Sequence, residues 1–140
     1  MAGENRAEEF NQRQAGMLPD ELGVRWEVVS PGEARGRFTA GPRHMAPNGF
    51  LHAASVIALV DTACGYGCVA SLPDGASGFT TIELKANFLA TAKVGDVVSA
   101  RGWLVHGGRT TQIWDAEAVN ETSGKTMALF RCSQMVLYPR

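Results

Sequence analysis

With 140 residues, 45% of them hydrophobic and 19% charged, the chain is sized for one globular domain with its own core rather than for two. Its 13 basic and 14 acidic residues are interspersed and leave a net charge of -1, which excludes the basic stripe that captures a phosphate backbone, so no nucleic-acid partner is expected. The three cysteines are an odd number, and Cys64 and Cys68 stand four apart in an apolar run, which suits reduced thiols packed as small hydrophobes better than a disulfide framework.

The opening stretch from Met1 to Gln14 is polar and carries Glu4, Arg6, Glu8, Glu9 and Arg13. That is unlike a secretory leader, and a cytoplasmic location is expected. Residues 1–20 read as an N-terminal extension with a short polar helix within 4–16, and residues 21–140 as the main domain. From Val24 the pattern has period two, with Val24, Trp26 and Val28 on one face, until Pro31-Gly32 supplies a tight turn and Glu33 to Ala40 returns as a strand. A loop from Gly41 to Gly49 follows, and Leu51 to about Leu72 predicts a helix of roughly 20 residues, closed by Pro73-Asp74-Gly75. The apolar stretch of that helix is interrupted by Ser55, Asp61, Thr62, Gly65, Gly67 and Ser71, too polar for a membrane span.

Four alternating segments come next, approximately Gly78 to Ala90, Asp96 to His106, Thr110 to Asn120 and Lys125 to Tyr138. Ile82, Leu84, Ala86 and Phe88 share one face of the first. The connections at Lys93-Val94-Gly95, Gly107-Gly108 and Glu121-Thr122-Ser123-Gly124 are short and contain glycine, so the pattern predicts hairpins and a largely antiparallel sheet. The expected class is α+β, with five to six strands curved around one long helix that is apolar nearly all round.

Within that helix Asp61 is the outlier. An ionised carboxylate among aliphatic neighbours loses hydration unless something pairs with it, so it is either a structural anchor or a catalytic group. His44 and His52 are eight apart without a supporting carboxylate pattern, Cys64 and Cys68 lack further ligands at metal spacing, and Gly65-Tyr66-Gly67 lies inside the helix rather than at a strand-to-helix turn. No metal and no nucleotide cofactor are expected.

Asn48-Gly49-Phe50-Leu51-His52 ahead of the helix, Asp61 nine residues after the histidine, and a following strand Thr80-Thr81-Ile82-Glu83-Leu84-Lys85-Ala86-Asn87-Phe88 together resemble the hotdog-fold thioesterases of the phenylacetic-acid-degradation type. The match runs from about Val24 to Tyr138. Three departures stand out: His52-Ala53-Ala54 replaces His-Gly-Gly, Asn48 lies four residues before the histidine rather than five or six, and Thr91 occupies a usual proline position.

The resemblance implies hydrolysis of an acyl-CoA with a medium-chain or aromatic acyl group. Asp61 would act as general base or nucleophile, the amide of Ala53 as oxyanion donor at the helix start, and His52 would orient the thioester. Thr81 would hold the water or the aspartate, and Asn48 the water or the loop backbone. On the substrate side the resemblance implies Gly49, Phe50, Phe88 and Arg109, the last against coenzyme A phosphates with Arg43 and His106 as lesser candidates. Leu51, Phe79 and Trp103 are further candidates for the acyl wall. Two other activities of the same architecture compete: a non-catalytic acyl-CoA binding module and an enoyl-CoA hydratase or dehydratase.

Nine residues at about 100° each turn the helix by about 900°, which sets His52 and Asp61 on opposite sides. A shared site therefore calls for two protomers, a homodimer or a dimer of dimers.

Overall fold

In the computed structural model, which describes residues 3–140, ten elements follow one another. They are α1 (Ala7–Arg13), α2 (Leu18–Glu21), β1 (Arg25–Ser30), β2 (Glu33–Thr39), a 3-10 turn (Pro42–His44), α3 (Ala53–Ala70), β3 (Gly78–Phe88), β4 (Val97–Gly107), β5 (Thr111–Asn120) and β6 (Lys125–Leu137). The strands form one sheet in the order β1-β2-β4-β5-β6-β3, every neighbouring pair antiparallel. Helix α3 lies across the inner face and touches all six strands, with Leu59, Val60, Ala63, Cys64 and Cys68 fully buried against residues such as Trp114, Phe38 and Ala118.

The α+β expectation holds, and so does the single wrapped helix. By length and mean hydropathy (1.5) α3 would also qualify as a membrane span, yet half of it is buried inside the fold, as the core helix of such a sheet must be. It starts at Ala53 rather than Leu51, because Leu51 pairs with Met45 in an isolated bridge and His52 takes the cap position. In β1 a bulge between Trp26 and Val28 moves the inward phase by one residue, so Val29 rather than Val28 reaches the core.

The connection at Lys93-Val94-Gly95 does not make a hairpin. β3 pairs with β6 at the far edge, while β4 sits between β2 and β5. The linker crosses the end of the sheet, donating from Leu89 N–H to Met127 C=O (2.7 Å) and from Gly95 N–H to Ala40 C=O (2.8 Å). A short glycine-bearing segment was compatible with either route, and the intervening α3 decides it by carrying the chain across the sheet before β3 begins.

The N-terminal segment is fastened to the edge strand β1 by two asparagines that imitate backbone pairing. Asn5 accepts from Val29 N–H (3.0 Å) and donates to Glu27 C=O (2.9 Å), and Asn11 accepts from Trp26 N–H (2.8 Å) and donates to Trp26 C=O (3.0 Å). These bonds cover an otherwise open sheet edge. Phe10 of α1 and Gln14 at its C-cap are buried beneath.

Two helical glycines set how closely α3 approaches the sheet. A Cβ added to Gly67 would stand 2.5 Å from the Trp114 ring, and one added to Gly65 would stand 2.9 Å from Phe79. Trp114 cannot easily withdraw, since it is fully buried and its indole N–H is held by Gln112 Oε1 at 2.8 Å. Gly67→Ala is therefore expected to destabilise the fold by about 1–3 kcal/mol through overpacking, read as a lower urea midpoint with unchanged slope. An unchanged midpoint would show that the indole gives way.

Candidate active site

Asp61 sits in the middle of α3 and borders a cavity of about 560 Å³. Phe10 from α1 and Gln14 at its C-cap, Tyr66 and Val69 from α3, and Phe79 and Thr81 from β3 form much of its wall. Among the described residues Oδ1 of Asp61 is buried with no hydrogen-bond partner. Burial pushes its carboxyl above the ordinary aspartate value, because the ionised form has lost water and gained no compensating donor. A carboxylate serving only as an anchor would be hydrogen-bonded, and the absence of a partner for Oδ1 makes Asp61 the candidate around which the site is built.

Thr81 lines the same cavity, and its hydroxyl donates to Oε1 of Gln134 at 2.6 Å. The sheet's register is the cause: Thr81 on β3 stands directly opposite Gln134 on β6, just before the bulge that interrupts β3 at Ile82. That bulge takes Ile82 out of the expected face, while Leu84, Ala86 and Phe88 stay together opposite the buried Cys132, Phe130 and Ala128; Ile82, Leu84 and Phe88 are nonetheless exposed on this edge strand.

The wall of the Asp61 cavity is itself tied together. Gln14 Oε1 accepts from the Trp26 indole (2.9 Å) and from the Tyr66 hydroxyl (3.0 Å), while its amide donates to Val24 C=O (2.8 Å). The N-terminal segment thus supplies part of the cavity.

The helix start forms a second region. His52 is the N-cap of α3, and its Nδ1 accepts from Ala54 N–H at 2.9 Å. In the neutral ring the hydrogen then sits on Nε2, available as a donor on the exposed side. The amide of Ala53, first in the helix, has no intrahelical acceptor by position. The preceding loop is held by His44, which accepts from Gly41 N–H (2.9 Å), donates to Leu22 C=O (2.7 Å) and stacks on Phe38 at 4.3 Å between centroids. Its own carbonyl accepts from His52 N–H and from the Ser55 hydroxyl, each at 2.9 Å. Asn48 Oδ1 accepts from Phe50 N–H at 3.2 Å, the loop-backbone alternative of the two roles considered for it, and Gly49 beside it has φ +89°, a conformation glycine adopts without strain.

Phe50, Leu51, Ala53, Val56 and Phe88 line a second, mainly apolar cavity of about 460 Å³. His52 borders a third recess with Arg43 and Met45. Asp61 belongs to neither, and nine helical residues separate it from His52 by about 14 Å along the axis. Of the sequence-derived candidates, one protomer brings together Asp61, Thr81 and Phe79, and separately gathers Phe50, Leu51, Ala53 and Phe88.

Arg109 is exposed on the β4–β5 hairpin, its guanidinium 5.7 Å from the Tyr138 ring centroid, and it lines neither of these cavities. Trp103 also lines neither of these cavities and stands under Arg101, with 4.8 Å between guanidinium and ring. Residues to which sequence reasoning gave no part in the site are Gln134, Gln14, Tyr66, Phe10 and His44. Gln134 left a signal, since it is a polar residue at an inward position of an alternating strand, in phase with Cys132 and Val136.

Residues 48–127, more than half of the chain, match the family described as the thioesterase superfamily. A 1,4-dihydroxy-2-naphthoyl-CoA hydrolase of Listeria monocytogenes is 28% identical over 83% of this chain and 92% of its own. The crystal structure of a mutant thioesterase from Pseudomonas aeruginosa superposes with a TM-score of 0.86 at 24% identity, covering 94% of this chain and 93% of that one. The PaaI protein of the phenylacetic acid degradation operon of Escherichia coli gives 0.83 at 24% identity, covering 94% and 91%. With six antiparallel strands wrapped around one helix and the family match spanning both the helix start and Asp61, the chain belongs to the thioesterase superfamily and is a hotdog-fold thioester hydrolase.

Proposed function

We propose that the protein hydrolyses acyl-CoA thioesters in a site shared by two protomers, with Asp61 as the group that activates the attack. The observation carrying this reading is the buried Asp61 oxygen with no partner among the described residues, in a cavity walled by Phe10, Tyr66 and Phe79. Thioester hydrolysis needs an acceptor for the proton of attacking water, donors where the carbonyl oxygen becomes negative, and an apolar compartment for the acyl group. Asp61 serves the first need, the Ala53 amide and His52 Nε2–H the second, and the two cavities the third.

In the reading's chemical steps, water attacks the acyl carbon and its proton passes to Asp61. The tetrahedral oxyanion is held at the helix start of the partner, and collapse expels the coenzyme A thiolate, which takes up the proton. Direct attack by Asp61 through a mixed anhydride is the competing route.

Dimerisation through β3 and the open flank of α3 is supported by an edge strand of 11 residues whose outer side has no neighbouring strand among the described residues, with Ile82 55% and Phe88 45% exposed, a surface that a lone protomer would have to protect. A two-fold axis near the middle of β3 would set Phe88 of one protomer beside Phe79 of the other. The Asp61 cavity would then run into the partner's helix-start cavity. The aromatic wall and the naphthoyl-CoA activity named for the Listeria relative support an aromatic acyl group, with medium chains the other class that fits. A cytoplasmic setting belongs to the same reading, supported by the three buried free thiols.

The test is thiol release from a panel of aryl- and alkyl-CoA thioesters by wild type and by Asp61→Asn. Release by wild type that the variant loses supports the reading; ligand binding with the thioester left intact would make the protein a binding module. His52→Ala should lower kcat by about 100-fold, the scale of a lost oxyanion donor, because Ala keeps the backbone amide but removes both the Nε2 donor and the cap. An unchanged rate would leave His52 as a cap alone.

A further inference from the structure

We propose that Gln134 is a positioning residue for the hydrolytic water: by taking the hydrogen of the Thr81 hydroxyl it makes that oxygen an acceptor, so that Thr81 and Asp61 hold the two hydrogens of one water. The inference rests on the thioester-hydrolase reading and extends it to a residue on β6.

Gln134 is completely buried, on the inner face of the sheet, directly across from Thr81. A hydroxyl has one hydrogen, and the Thr81 hydrogen is committed to Gln134 Oε1 at 2.6 Å. Toward the cavity Thr81 can therefore only accept. An ionised Asp61 also only accepts, and its Oδ1 has no partner among the described residues. Two acceptors facing one cavity repel a carbonyl oxygen but suit a molecule with two hydrogens. Water held in this way directs its lone pairs away from both groups, toward an acyl carbon in the cavity.

The step balances: the water oxygen bonds to the acyl carbon, one hydrogen goes to Asp61, and the carbon–sulfur bond breaks. The thiolate leaves and recovers that proton, giving acid and thiol. The amide nitrogen of Gln134 is buried without a partner among the described residues. A glutamine that leaves a donor unsatisfied is a poor choice for stability, since an apolar residue of similar size would avoid the cost. Its one bond, to Thr81, is what it contributes. The other ionisable groups bordering the cavity are Arg13 from α1 and Tyr66 from α3, and Cys64 lies within the field of Asp61 on the sheet side.

The experiment compares wild type, Gln134→Met, Thr81→Val and the double variant, as full-length protein, on an acyl-CoA that wild type hydrolyses. Gln134→Met should lower kcat by about 10- to 100-fold, the scale of a misplaced reactant, with KM little changed. It should also move the acid limb of the kcat profile to lower pH, because the freed Thr81 hydroxyl turns to donate to Asp61. Thr81→Val should lower kcat comparably without that downward move, and the double variant should be no worse than the poorer single variant.

Wild-type kcat in Gln134→Met, or losses that multiply, would overturn the proposal. So would an acid limb that moves upward, since Thr81 would then be the donor to Asp61 with the Gln134 amide reversed. If Gln134→Met does not fold, Thr81→Val against Thr81→Ser carries the test. Loss in the valine variant with retention in serine supports the proposal, and equal rates overturn it. Failure here is separable from failure of the hydrolase reading. That reading falls if wild type releases no thiol or Asp61→Asn releases it normally, whereas a normal Gln134→Met beside an inactive Asp61→Asn removes only the positioning role.

Discussion

Replacing Asp61 by asparagine is expected to lower kcat by about 10²- to 10⁴-fold, the contribution of a well-placed general base, while raising the melting temperature at neutral pH. The two effects have one cause. The residue is half-buried, with Oδ1 fully enclosed and unpartnered among the described residues, so the group is held in a state that favours taking a proton. That is useful in catalysis and costly for folding.

The pH dependence carries the sign. Burial raises the folded carboxyl above the ordinary value of 3.8, so between the unfolded and folded values the folded chain binds more protons. Stability therefore falls as pH rises through that window, and above it the whole cost of burying the charge is present. Asparagine fills nearly the same volume, carries no charge and avoids that cost. Activity follows the opposite course, since the base works only when ionised. The acid limb of kcat/KM for wild type should accordingly lie above the range of a solvated aspartate. Thermal scans at acidic and neutral pH, run beside thiol release, check both halves. Near-native turnover in Asp61→Asn would remove it from the mechanism, and a lower melting temperature would show the carboxylate to be an anchor.

Mixed dimers of Asp61→Asn and His52→Ala protomers are expected to recover activity that both parent dimers lack. In one chain Asp61 and His52 are about 14 Å apart along α3 and half a turn out of phase, and they border different cavities. Each parent homodimer would carry two damaged sites. A heterodimer would combine Asp61 from the His52→Ala protomer with His52 from the Asp61→Asn protomer in one intact site, leaving the other doubly damaged. Co-expression with two affinity tags, isolation of the doubly tagged species and assay of thiol release measures the recovery. A heterodimer no more active than its parents would place both halves of the site within one protomer.

Much of the fold was legible because its signals are local. Period-two alternation marks the strands, and the run from Ala53 to Ala70, stopped by Pro73-Asp74-Gly75, marks the only long helix among the described residues. Asp61 stood out for the same reason, as a charge where the helix pattern calls for an apolar residue. The errors fall where a single residue changes phase or where the chain changes neighbours. The bulges at Trp26/Val28 and Thr81/Glu83 shift side chains to the other face without altering composition. The place of β3 beside β6 depends on how α3 crosses the sheet, which the Lys93-Val94-Gly95 turn does not encode.

Sequence by itself determined the class of fold, the out-of-pattern carboxylate in the helix and the histidine that starts the helix, because each is written in the spacing of neighbouring residues. Tertiary structure alone decided that Gln134 takes the Thr81 hydrogen, that Phe10 and Gln14 of the N-terminal segment wall the Asp61 cavity, and that Arg109 and Trp103 stand apart from it. Those pairings join residues as many as 53 positions apart in the chain. They come from strand register and from glycine-set closeness of helix to sheet, quantities that arise only when distant segments pack.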